Sequence, residues 1–104
     1  MIERHWKGIA RKEEAENYIE HLTTATFPAI KNIGGFIRAS VLKRPVDNGI
    51  EFLVVTVWDS MEAIRQFAGE QPDLAVVPVP AQKMMVSFDA FVSHYELALA
   101  LPHN

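Results

Sequence analysis

Three side chains stand out as able to do chemistry: His94, Trp58 and Arg38. His94 lies in the run Phe91-Val92-Ser93-His94-Tyr95-Glu96, and a neutral imidazole, with an ordinary pKa of about 6.5, can take a proton from an acidic O–H near neutral pH. Trp58 ends an apolar run, where an indole can wall a pocket and offer its N–H to an oxygen. Arg38 stands between Ile37 and Ala39 and can hold a developing oxyanion through charge-assisted hydrogen bonds. Each has a plainer alternative. His94 can be an interface or surface residue, Trp58 a core or dimer-interface residue, and Arg38 half of an ion pair between strands or subunits.

The other candidates are weaker. His5 and His21 could also move protons, whereas His103 falls in the tail. No two histidines have the spacing of a metal site, so no metal is expected. The chain contains no cysteine, which excludes disulfides, thiolate nucleophiles and thiolate-ligated haem or iron–sulfur clusters. Gly34-Gly35 lacks the further glycines and basic partner of a phosphate loop and reads as a turn. Trp6, Tyr18, Phe67 and Phe88 would line an apolar pocket suited to an aromatic guest if the fold gathers them.

The elements that must do the gathering are legible from periodicity. Residues 2–9 read as a strand. Over residues 12–26, Ala15, Tyr18, Ile19, Leu22 and Thr26 follow one helix face, with Pro28 near the end. Phe36–Lys43 and Ile50–Trp58 read as a hairpin around Asn48-Gly49. Asp59, with Glu62 three residues on, is the expected N-cap of a helix over Met61–Ala68 that Gly69 ends. Pro72, Pro78 and Pro80 make the next stretch irregular, with a helical turn expected around Leu74–Val77. A last strand, Met84–Leu97, is long enough to need a bend or bulge; its even-numbered residues, His94 among them, should share one face. The order β-α-β-β-α-β predicts a single α+β, ferredoxin-like domain over residues 1–104, with both helices on one face of a four-stranded antiparallel sheet.

A hydrophobic share of 49 % is high for 104 residues, and the strands carry apolar residues on both faces. A homodimer packed sheet to sheet would cover the face the helices leave open. A net charge of −3 without basic runs argues against nucleic acid. No apolar stretch approaches the length of a membrane span and no signal-peptide pattern opens the chain, so a cytoplasmic location is expected.

Trp6 and Gly8, Tyr18, the segment "EFLVVTVWDSMEAIRQFAG" (residues 51–69), Ala75-Val76-Val77-Pro78 and His94-Tyr95-Glu96 together resemble the antibiotic biosynthesis monooxygenase family, in its uncharacterised, monooxygenase-like branch. The resemblance implies a dimeric α/β barrel with a pocket in each subunit, between helices and sheet. It also implies a monooxygenase that oxidises a small or polycyclic phenol with dioxygen and no cofactor. His94 would take the phenolic proton, Trp58 and Arg38 would position the ring, and Trp6, Tyr18, Phe67 and Phe88 would form the walls. Haem-degrading relatives use a histidine after the second helix and an asparagine on the first strand; residues 69–83 hold no histidine and residues 2–9 no asparagine. The alternatives are a non-catalytic ligand-binding or structural dimer, and an isomerase or decarboxylase that turns over without oxygen. The expected partners are a second copy of the chain and an apolar aromatic small molecule, with neither nucleic acid nor membrane.

Overall fold

The computed structural model describes residues 1–102, which leaves His103 outside. Strand β1 (Ile2–Ala10) is central: it pairs antiparallel with β3 (Gly49–Trp58) along its full length. Its other edge carries β4 (Met85–Phe88) and β5 (Ser93–Glu96). β2 (Phe36–Val46) completes the sheet through a hairpin with β3. The order β2-β3-β1-β4, with β5 continuing the β4 position, is the expected ferredoxin-like arrangement, its last strand broken in two.

That break has a structural use. Between β4 and β5 the chain leaves β1 and turns to residues 73–75: Phe91 bridges Leu74, Ala75 N–H donates to the Ala90 carbonyl at 2.9 Å, and Val92 N–H donates to the Asp73 carbonyl at 2.8 Å. A register shift also places Met85 opposite Ala10 and Phe88 opposite Gly8. Residues opposite one another share a face, so Met85 joins Phe88 on the helix side, against the simple alternation.

The first helix runs further than its periodicity suggested. A 3-10 turn at Lys12–Glu14 leads into α1 (Ala15–His21), a π-helical turn at Leu22–Thr26 and α2 (Phe27–Ile30). Phe27 N–H donates to the Leu22 carbonyl, five residues back. The wide turn leaves Pro28 in the first turn of α2, the part of a helix that tolerates a missing N–H best.

Helix α3 (Met61–Ala68) is capped by Ser60 rather than Asp59: Ala63 N–H donates to Ser60 Oγ at 3.2 Å. Asp59 instead donates its own N–H to the Gly35 carbonyl at 2.8 Å. Gly35 has φ +94°, and a Cβ there would lie 2.4 Å from Asp59 Oδ1, so this corner needs glycine. The hairpin turns on Asp47-Asn48, with positive φ falling on Gly49 alone. The short helix α4 forms at Val79–Gln82, where Pro80 fits the first turn; the expected turn at Leu74–Val77 is absent because Leu74 is bridged to Phe91.

Both helical layers lie on one face of the sheet and pack into two clusters. Tyr18, Leu22, Phe52, Ala81 and Met85 form one with Ala10. Ile30, Trp58, Ala63 and Ile64 form the other. Phe27 packs against both.

Candidate functional site

The seam between the two clusters is not filled. It holds a cavity of about 60 Å³, walled by Trp6, Tyr18, Phe27, Val54, Phe67 and Val77 among others. An apolar cavity of about 150 Å³ holds benzene, so in this smaller space an aromatic guest must push part of the wall aside. Five lining residues, Arg4, Tyr18, His21, Thr26 and Thr56, bring polar groups to a mostly apolar space.

Arg4 is the electrostatic centre. Strand alternation carries Arg4, Trp6, Gly8 and Ala10 onto the helix side, and Arg4 is buried there. One Nη1 hydrogen bond goes to the Pro72 carbonyl and another, at 3.0 Å, to His94 Nε2; Nη2 donates to the Leu74 carbonyl at 3.0 Å. The guanidinium also lies 5.8 Å from the ring centre of Phe67, within cation–π range. Burial pulls its pKa down to about 10, with Asp73 opposing the shift, so it stays cationic at neutral pH.

His94 is therefore committed. Accepting from Arg4 requires an unprotonated Nε2, which puts the ring proton on Nδ1, 3.3 Å from Asp73 Oδ1. Burial, then the Arg4 charge, lower its pKa below 6.5, against the opposing pull of Asp73.

On the helix wall, Tyr18 is buried, and burial raises its hydroxyl pKa. Its ring lies 6.5 Å from that of His21, at 20°. His21 Nε2 is buried and has no hydrogen-bond partner; an unmet polar atom of this kind costs about 1–3 kcal/mol. Across the cavity, Trp6 Nε1–H donates to the Asp89 carbonyl at 2.9 Å. Its ring lies over Gly8, where a Cβ would come within 2.5 Å of Cη2.

Of the residues expected from sequence, Trp6, Tyr18 and Phe67 line the cavity, and Phe88 backs Trp6 at 6.4 Å between ring centres. His94, Trp58 and Arg38 do not converge. Trp58 is fully buried behind the wall, stacked on Phe67 at 6.0 Å, with its N–H donated to Thr56 Oγ1 at 2.9 Å. Arg38 lies opposite Val57, exposed on the sheet face away from the helices. His94 reaches the site through Arg4. Arg4 and Thr56 went unnoticed in the sequence, although Arg4 shares its strand parity with Trp6, a usable sign.

Among the described residues, no group of three or more His, Asp or Glu could hold a metal ion. No described helix is long and apolar enough to cross a membrane.

A sequence profile described as antibiotic biosynthesis monooxygenase matches residues 5–72, a span running from β1 past α3. The chain belongs to the antibiotic biosynthesis monooxygenase family. Solved structures agree in fold. A Bacillus cereus protein provisionally assigned as an antibiotic biosynthesis monooxygenase is 21% identical, with TM-score 0.71 over 100% of this chain and 97% of that one. A variant of SnoaB, a cofactor-independent oxygenase from Streptomyces nogalater, is 15% identical, with TM-score 0.68 over 98% and 97%. MhuD, a heme-degrader from Mycobacterium tuberculosis with two hemes bound in its active site, is 20% identical, with TM-score 0.61 over 98% and 100%. At these identities the likeness is one of fold. No curated protein is matched significantly. The resting cavity has no room for haem, and the α3–α4 connection that walls it carries no imidazole, the one imidazole of the wall being His21 on α1.

Proposed function

We propose that this chain is a cofactor-independent oxygenase that takes a small planar phenol into the cavity between helices and sheet and oxidises it to a quinone with dioxygen. The observation that carries this reading is an apolar, aromatic-walled cavity with a buried, fixed cation, Arg4, at its edge. In a space that excludes water, such a charge favours the phenolate over the phenol. The electron-rich phenolate transfers one electron to dioxygen and the two radicals combine. Loss of water then leaves one oxygen atom in the ring and carries the other away. His94 acts here as a positioning residue that holds Arg4, while Trp58 braces Phe67 from behind. The chain works as a homodimer joined through the open sheet face.

The guest must widen the cavity, and the wall best able to yield is Val76-Val77-Pro78, which is outside helix and strand. The small resting volume also favours a second reading, a non-catalytic dimer in which side chains fill the seam. Oxygen uptake by the purified protein, tested with mono-, bi- and tricyclic hydroxyarenes in the presence of a chelator, separates the two. The oxygenase reading expects a quinone labelled from heavy-isotope dioxygen, with one water formed per turnover. The absence of both binding and oxygen uptake would establish the second reading, binding without uptake would mark a non-catalytic ligand-binding dimer, and turnover under argon would point to an isomerase or decarboxylase.

A further inference from the structure

We propose that His21 Nε2 is the proton acceptor of this cavity, so that the site selects rings bearing an acidic hydroxyl and binds them as phenolates. The inference rests on the cavity being a ligand site, as argued above. A buried polar atom is nearly always paired, yet His21 Nε2 has no partner while its residue forms part of the cavity wall. A hydroxyl brought in by a ligand supplies the missing partner.

The other described imidazoles are excluded by position. His94 has Nε2 on Arg4 and Nδ1 on Asp73. His5 lies on the opposite parity of β1, with Nε2 2.9 Å from Glu3 Oε1 and its ring against Tyr95. His21 alone among them lines the cavity.

The helix is built around this position. The π-helical turn begins at the next residue, Leu22, and Thr26 and Phe27 line the cavity while Ala25 is exposed. Thr23 and Thr24 donate their hydroxyls to the Ile19 and Glu20 carbonyls at 2.9 and 2.8 Å, so the wide turn is supported without the His21 side chain. π-Helical turns of this kind recur at functional sites.

The step is a single proton transfer. The phenol O–H bond breaks, an Nε2–H bond forms, and the oxygen keeps the electron pair. Of the other titratable groups that line the cavity, Arg4 is cationic and Tyr18 stays protonated. The phenolate is thus formed in a cavity lined by two cations and the Tyr18 hydroxyl, with no lining carboxylate to oppose it.

The probe is 4-nitrophenol, whose phenolate has its own visible absorption. At the pKa of the free probe, where free phenol and phenolate are equal and an ordinary imidazole is mostly neutral, the bound phenolate-to-phenol ratio in the native protein should exceed the free ratio by roughly tenfold or more. His21→Gln should still bind the probe while losing roughly tenfold in that ratio. In parallel, nitrogen NMR of the native protein should show the His21 ring becoming doubly protonated as the probe binds, a readout that requires no variant to fold. Equal ionisation in native and His21→Gln protein, with an unchanged His21 signal, would overturn the assignment and leave the cavity reading standing. Failure of the native protein to bind the probe would remove the cavity reading and this inference with it.

Discussion

At the scale of single residues, the site turns on how one buried charge is held. Arg4 satisfies two backbone carbonyls and one imidazole. Its replacement by methionine keeps the bulk and leaves the Pro72 and Leu74 carbonyls unpaired. Arg4→Met should therefore cost about 3 kcal/mol in urea denaturation; a loss under about 1 kcal/mol would mean that water replaces the guanidinium at little cost. His94 adds a pH dependence whose sign is fixed by its lowered pKa. The unfolded chain binds the proton more readily than the folded one, so the stability from His94 is complete above pH 6.5, its ordinary value, and is lost as pH falls through the lower folded value. Physically, protonating Nε2 sets a second cation against Arg4. The thermal midpoint should drop on acidification below that value in the native protein and drop less steeply in His94→Gln. Parallel curves would assign the acid sensitivity to other groups.

At the scale of elements, the strands were legible and their phase errors instructive. Alternation and the nearly unbroken run Ile50–Trp58 marked β1, β2 and β3 because sheet burial writes a short period into the sequence. The helix boundary was missed because a π-helical turn adds one residue to the repeat, and a period of 3.6 cannot follow the face past it. The cap moved from Asp59 to Ser60 because the tertiary contact of Asp59 with Gly35 outweighed a local pattern. Arg4 was missed for another reason: two of its partners are carbonyls at Pro72 and Leu74, and a backbone acceptor has no side-chain signature. Gly8 tests how closely β1 is fitted to the site. Gly8→Ala places a methyl group against the Trp6 indole, so the ring must move and the bond to the Asp89 carbonyl must stretch or break. Tryptophan emission should shift and 4-nitrophenol binding weaken by roughly tenfold, equivalent to about 1.4 kcal/mol. Unchanged emission and binding would show that the sheet flexes enough to spare the indole.

At the scale of the whole molecule, the question is what covers the second face of the sheet. The register that turns Trp6, Phe52 and Trp58 toward the helices turns Ile9, Leu53, Val55 and Leu42 the other way. Leu42 is 52% exposed and Tyr95, beside His5, is 57% exposed. Charged neighbours on that face, among them Glu3, Lys7 and Arg38, supply both signs, as a self-complementary two-fold contact requires. A second copy of the chain is thus the occupant proposed here. Sedimentation should find a dimer at micromolar concentration, and Leu53→Lys, which sets a charge at the middle of the central hairpin strand, should convert it to monomer without loss of secondary structure by circular dichroism. The cavity lies on the helix side of the sheet, so such a monomer should still bind 4-nitrophenol, more weakly only to the extent that the sheet loosens. A native protein that sediments as a monomer would remove the dimer from the proposal and leave the helix-side site intact, whereas a monomeric variant that loses all probe binding would mean that the second copy holds the sheet in the shape the cavity needs.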